Sequence, residues 1–319
     1  MTINANEQAT QQKVRGSLMT GKRSDNIQLF LLALPAILLL VVFAYIPMAG
    51  IIIAFKQFNV SKGIFGSPWI GFKNFEFFFR TADAWRTIKN TLGMNFLIMA
   101  TSLVANIAFA LLCFNLRRKM AIKAYQTITI IPSFLSWVVV GYLVYALLKP
   151  TGGILNQIIV AFGGDAVKWY SEPSKWPVIL VLVSLWHGVG NGSLFYFASL
   201  MTIEEDYFEA ASLDGANKLQ EFRYIILPHL VPLIIIMQIL AIGRIFRADF
   251  GLFFNVTRDS GMLYPTTDVI DTYIYRALFA IGNIGMSAAV GLFQSVVGFV
   301  LIIFTNWTVK RIEPDNALF

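Results

Sequence analysis

Ile203-Glu-Glu-Asp-Tyr-Phe-Glu-Ala-Ala-Ser-Leu-Asp-Gly-Ala-Asn-Lys-Leu-Gln-Glu-Phe-Arg-Tyr-Ile-Ile-Leu-Pro228 is a polar island between two long apolar runs, 176–202 and 222–246. The island predicts two short helices. The first, around Glu209, Ala210 and Ala211, has good helix formers and an acidic start that suits the positive end of a helix dipole. Gly215 permits the left-handed turn or close backbone approach that ends it. Pro228, which lacks an N–H, marks a break near the start of the second run. Each flanking run is long enough to cross about 30 Å of hydrocarbon as a helix.

Working outward, four more apolar runs of that kind appear at 28–55, 88–115, 124–148 and 285–307. Six spans predict an all-α membrane protein, since only helices and closed barrels satisfy their backbone in lipid. Pro35, Pro47, Pro132 and Pro232 fall inside these runs. Buried membrane helices tolerate such breaks when neighbours satisfy the freed groups. Composition agrees: of 319 residues, 57% are hydrophobic and 13% charged, against about 45–50% and about 25% in soluble domains. The net charge of +7 fits loop cations facing anionic lipid, and no basic stripe for nucleic acid is present. The single cysteine, Cys113, lies in an apolar run and reads as a small packing residue.

Charge orients the chain. The turn Arg117-Arg118-Lys119 to Lys123 concentrates four positive charges, which resist translocation. It is therefore expected in the cytoplasm, together with the 203–228 island, an N-terminal tail at 1–27 and a C-terminal tail at 308–319. The run after the first tail is about twice a signal-peptide core, so it reads as retained. Two segments then face outside. Residues 56–87 carry Trp69, Phe72, Phe75, Phe77, Phe78 and Phe79, which suit a surface-lying helix at headgroup level or contact with an external partner. Residues 247–284, with Asp249, Arg258, Asp259, Asp268 and Asp271, are too polar to span and predict an external cap.

Covalent chemistry finds no support. No Gly-x-x-x-x-Gly-Lys-Ser/Thr run is present to cradle nucleotide phosphates. Two histidines, His187 and His229, and one cysteine offer no metal cluster or nucleophile triad. Ion-coupled secondary transport is the rival reading, but it needs buried carboxylates in the spans, and nearly all carboxylates here lie in loops.

The island resembles the EAA loop of ABC importer permeases. Glu209-Ala210-Ala211, then Gly215 after three residues, then Ile225-Ile226-Leu227-Pro228 after nine, match that pattern's anchors, as does Asp214-Gly215-Ala216. Trp69-Ile-Gly-Phe-Lys-Asn-Phe75 and Asn90-Thr91-Leu92 resemble segments of sugar-type permeases. Pro132 to Trp137 and Asp268 to Arg276 resemble the subgroup that handles polysaccharide fragments and complex oligosaccharides. The resemblance implies a six-span type I importer permease (MetI-like) fold. It also implies a coupling role for Glu209, Ala210, Ala211, Asp214, Gly215, Leu227 and Pro228. The implied partners are a second permease, a cytoplasmic ATPase dimer that holds ATP and Mg, and an extracytoplasmic solute-binding protein. No cofactor is expected in this chain, and a peptide cargo stays open beside a sugar.

Candidate pathway residues lie in the fourth and fifth runs. Trp186, His187, Gly188 and Asn191 place an indole, an imidazole and an amide among small residues, which suits stacking on and hydrogen bonding to a sugar. Close helix packing explains the glycines equally well. Arg244 and Arg247 end the fifth run, and Arg244 either faces a pathway or pairs with Asp249. Gly188 and Asn191 resemble sugar-site positions of maltose-type permeases. Arg244 departs from that pattern and suits a carboxylate, so an acidic, uronate-containing cargo is expected. Gln294 and Ser295 are weaker candidates.

Overall fold

The computed structural model describes residues 28–116 and 118–312. The expected tail 1–27, residues 313–319 of the expected tail 308–319, and Arg117 of the basic turn lie outside the described residues; 308–312, expected as tail, continue the last helix, Ile284–Ile312. Among those described, the chain is helical throughout, with one isolated antiparallel bridge between Lys56 and Trp69. Five helices are long and apolar enough to span: Gln28–Phe55, Asp83–Phe114, Pro173–Leu200, Lys218–Ile242 and Ile284–Arg311. They are the first, second, fourth, fifth and sixth spans below.

The third crossing differs from the single helix expected over 124–148. It is a pair, Lys119–Phe134 and Trp137–Leu148, bent by 98°. The residues explain the break. Pro132 removes an N–H, residues Ile131–Phe134 tighten to a 3-10 turn, and Leu135 and Ser136 are extended. Ser136 then caps the new helix, its Oγ accepting from the Val139 N–H at 3.4 Å. The freed Leu135 carbonyl lies 3.1 Å from His187 Nε2 of the fourth span, which meets the demand that no backbone group be left bare in lipid.

The second and fourth spans pack together more extensively than any other pair of helices. Glycine makes the close approaches possible. A Cβ at Gly190 would collide with the backbone carbonyl of Thr129 on the third crossing, and one at Gly192 with the Asn106 amide. Near the 203–217 loop the core is Ala110, Tyr196, Leu200, Ile226 and Leu230. At the opposite end it is built on Trp176, Leu180, Val140, Leu252 and Phe253. The first span buries none of its most apolar stretch within the chain. Its end at Ala49–Phe55 packs on the sixth span. The remaining apolar side chains face outward, as lipid or a partner helix requires.

The segment 56–87 is only partly surface-lying. Trp69 stacks on Phe55 at 5.6 Å and stays exposed, as does Phe72. Phe78, on the short helix Lys73–Phe79, is buried and packs 5.3 Å from Tyr273. The 247–284 segment is clasped to the second span. The buried Asp268 carboxylate receives Arg86 at 2.8 Å and also Arg276. Asn90 Nδ2 donates to the Asp268 carbonyl at 3.1 Å, and the Ile270 N–H donates to Thr91 Oγ1 at 2.9 Å.

Candidate functional site

The 203–228 island folds as its residues dictate. A helix runs Glu205–Leu213 with Glu205 and Asp206 in its first turn. Gly215 (φ +73°) ends it, with its N–H on the Ser212 carbonyl at 3.1 Å and the Ala216 N–H on Ala211 at 2.9 Å. These two bonds are the Schellman pattern that a left-handed residue completes. Asn217 then opens the next helix with a capping box: its Oδ1 accepts from Leu219 and Gln220 N–H at 3.0 Å each, and its own N–H donates to Gln220 Oε1 at 2.7 Å. Pro228 does not break the helix that follows. A π-helical stretch, Phe222–Ile226, precedes it and absorbs the missing donor, so the helix runs on to Ile242.

This loop is anchored on one face and bare on the other. Phe208 packs 5.8 Å from Phe114 at the end of the second span, beside Ile203 and Phe222. Glu209, Ala210 and Asp214 are exposed, and Leu213 is 90% and Leu219 74% exposed. Ala211 and Leu227 are half-buried, while Gly215 and Pro228 are exposed. Small residues flanked by bare leucines make a surface that fits a groove. Because Phe208 joins it to the second, fourth and fifth spans, a push on the loop is a push on those helices.

The second element is a cavity of about 380 Å³ among the second, fourth and fifth spans. Asn95, Ser102 and Asn106 line it from one helix, Gly192 and Phe195 from another, and Gln238, Arg244 and Arg247 from the third. The fifth span ends at Ile242, and the turn beyond it exposes carbonyls that must be satisfied. Asn95 Nδ2 donates to Ile245 at 2.7 Å, and Gln294 Nε2 to Phe246 at 2.7 Å. Gln294 also reaches Asp271, whose carboxylate accepts the Ala248 N–H at 2.8 Å. Burial pushes the Asp271 carboxyl above its usual range, against the pull of that N–H. Ser295 donates to the Gly291 carbonyl of its own helix, at 2.9 Å.

Arg244 and Arg247 are therefore held on a pinned turn, with exposed side chains. Neither forms an ion pair or a side-chain hydrogen bond among the described residues. The pairing of Arg244 with Asp249 is not made; Asp249 Oδ1 accepts the Leu252 N–H at 3.2 Å. Asn106 Oδ1 is buried in the cavity wall without a hydrogen-bond partner.

The fourth-span candidates do not join this cavity as a group. His187 stacks on Trp137 at 4.1 Å and reaches the Leu135 carbonyl. Asn191 Nδ2 donates to Ser133 Oγ at 2.9 Å. Both hold the bend of the third crossing. Trp186 is exposed, and beside Gly188 a Cβ would meet open space. The cavity residues missed in the sequence had a signal. Positions 95, 102 and 106 recur at seven and four residues, which is one face of a helix.

The fold is that of a polytopic α-helical membrane subunit with an exposed polar loop, 203–217, between two of its spans. The chain belongs to the family described as binding-protein-dependent transport system inner membrane component, which matches residues 106–314. It is a permease subunit of an ABC importer in the inner membrane, and the family is one of transport subunits, not enzymes. Two relatives come from Bacillus subtilis (strain 168). Protein LplB is 31% identical over 288 residues, 90% of each chain. The polygalacturonan/rhamnogalacturonan transport system permease protein YteP is 33% identical over 291 residues, 90% of this chain and 89% of its own. The crystal structure of a bacterial ABC transporter involved in the import of the acidic polysaccharide alginate contains a chain that is 32% identical. It superposes with a TM-score of 0.83 over 92% of this chain and 99% of that one.

Proposed function

We propose that this chain forms half of the path by which an ABC importer admits an acidic oligosaccharide, uronate-containing in chemistry. The observation that carries the reading is the pair Arg244 and Arg247, which border a cavity between spans with exposed side chains and form no ion pair among the described residues, although the Arg247 charge is also felt by the buried Asp271 carboxylate. Ionisable groups at such depth are costly and face a pathway or a partner charge, and a guanidinium holds a carboxylate with two parallel bonds. Asn95, Ser102, Asn106 and Gln238 add the amides and hydroxyl that sugar hydroxyls need. The relatives named for polygalacturonan, rhamnogalacturonan and alginate support the same cargo class.

In this reading a second, related permease completes the pathway, an external solute-binding protein delivers the cargo, and both termini are cytoplasmic. Two copies of a cytoplasmic ATPase, holding ATP and Mg, dock on Glu209, Ala210, Ala211, Asp214 and Gly215, with Leu227 and Pro228 at the base. Closure of the ATPase pair on ATP shifts the population from inward-open to outward-open through contacts on this loop. The fourth-span group Trp186, His187, Gly188 and Asn191 acts one layer out, holding the bend beside the path.

Replacing Arg244 with leucine tests the cargo. Losing one charge-assisted bond, about 1.5–3 kcal/mol, predicts a drop of about tenfold or more in uptake of acidic fragments. Uptake of neutral fragments of the same length should hold. Equal loss for both would sink the assignment.

A further inference from the structure

The segment beyond the fifth span carries another arginine without an acidic partner. Arg258 and Asp259, neither of them glycine, both adopt left-handed backbone, at φ 58° and 44°. Strained conformations of this kind persist only where the surroundings fix them, and they concentrate at ligand sites. Here the strain sends two neighbouring charges different ways. Asp259 receives Arg276 at 2.7 Å and the Tyr264 hydroxyl at 3.2 Å. Arg258 lies instead over an aromatic face, its guanidinium 4.2 Å from the Tyr145 ring centre and 5.9 Å from that of Tyr142. It makes no ion pair or side-chain hydrogen bond among the described residues.

The platform under it is firm. Tyr145 packs 5.5 Å from Tyr170, whose hydroxyl donates to the Val256 carbonyl at 3.1 Å. Tyr142, 64% exposed, joins Phe254, Asn255 and Arg258 around a cleft of about 210 Å³. Phe254 stacks in turn on Phe250 at 4.9 Å and meets Tyr275 at 4.8 Å. An exposed tyrosine, an unpaired guanidinium already seated on a ring, and the Asn255 amide, whose Nδ2 spends one donor on the Gly251 carbonyl at 3.0 Å and keeps a second N–H, form a coherent donor set. The aromatic faces suit the C–H face of a sugar ring, and the planar fork suits the carboxylate on it.

We propose that this cleft is a second saccharide contact, on the side opposite the coupling loop, which engages a uronate residue outside the Arg244–Arg247 cavity. The proposal rests on the acidic-cargo reading above. A polyuronate carries a carboxylate on every residue, so one chain can meet a cation at each site. A carboxylate of a docking protein needs the charge alone and leaves the exposed Tyr142 face and the Asn255 amide unused.

The test is equilibrium binding of oligogalacturonides, two to six residues long, to the assembled transporter in lipid nanodiscs. Neutral galacto-oligosaccharides of equal length serve as control. The informative variant is Arg258→Asn, because asparagine accommodates left-handed backbone better than arginine and the fold should keep or gain thermal stability. We expect the Kd for the acidic probes to rise at least fivefold in Arg258→Asn and less in Arg258→Lys, with the neutral probes unmoved. Tyr142→Leu should weaken binding similarly. Wild-type binding that Arg258→Asn leaves unchanged overturns this proposal alone. Loss of the second permease from the Arg258→Asn complex also overturns it, by making Arg258 a subunit contact. A wild-type complex that binds no acidic probe at millimolar concentration overturns the cargo reading, and this proposal with it.

Discussion

Gly215 shows how one residue sets the geometry of the whole loop that is proposed to dock the ATPase. Its φ of +73° closes the Schellman turn after Leu213 and hands the chain to the Asn217 cap two residues later. A β-branched side chain there is strained by on the order of 1–3 kcal/mol. Gly215→Val should leave the spans assembled, since a Cβ at this position meets open space. It should lower ATP-coupled uptake at least fivefold with reduced retention of the ATPase on purification. Uptake at the wild-type level would show that the turn is not part of the lever. At this scale the first helix of the loop and its stop at Gly215 were legible, because helix start, helix stop and turn depend on neighbours in sequence, whereas the break expected at Pro228 was not formed. The Asn217–Gln220 capping box was not read, although glutamine three residues after asparagine is its pattern. The partners of Arg244 were not legible. Asp249 lies five residues from Arg244 and three from Leu252, and in the folded turn its Oδ1 accepts the Leu252 N–H while no ion pair with Arg244 forms.

Among the elements, the third crossing departs furthest from its expected form. Its hydropathy supports one span over 124–148, yet Pro132 and Ser136 divide it. Hydropathy measures what lipid tolerates and is blind to direction, so a 98° bend leaves no trace in it. Local signals were present: a proline, then a serine before an apolar run. What fixes the bend comes from elsewhere, as His187 on Leu135 and Asn191 on Ser133. These are the fourth-span residues whose polarity pointed to cargo, and their partners explain that polarity without it. The same helix supplies a clean packing test. Gly190→Leu drives a side chain into the Thr129 backbone, and overpacking of that kind costs about 1–3 kcal/mol or more. We expect a clear fall in the melting temperature of the purified complex. Gly188→Ala, which enters open space, should change it little. Equal effects of the two substitutions would contradict the described packing of the fourth span on the third crossing.

For the molecule as a whole, the two ends of the spans are built for different tasks. At one end an exposed loop rests through Phe208 on the core of Ala110, Tyr196, Leu200, Ile226 and Leu230, and in the proposed function this is the surface the ATPase pushes. At the other, the 247–284 segment is clasped to the second span through Asp268, buried between Arg86 and Arg276. Breaking a buried pair by removing one partner is strongly destabilising, so this end moves with the second span as a unit. Between them lies the cavity, with Arg244 and Arg247 on a turn pinned by Asn95 and Gln294. All-α membrane architecture was readable from composition and run length. The clasp was not, since Arg86 and Asp268 are 182 residues apart and nothing local links them. The central claim, that ATP spent on one side drives acidic saccharide through this cavity, is tested most directly in proteoliposomes. These hold the complete transporter, its solute-binding protein and a labelled oligogalacturonide, with and without internal ATP. We expect uptake that requires ATP and falls at least tenfold when Arg244 and Arg247 are both replaced by leucine. Uptake without ATP, or uptake unchanged in the double variant, would contradict the account.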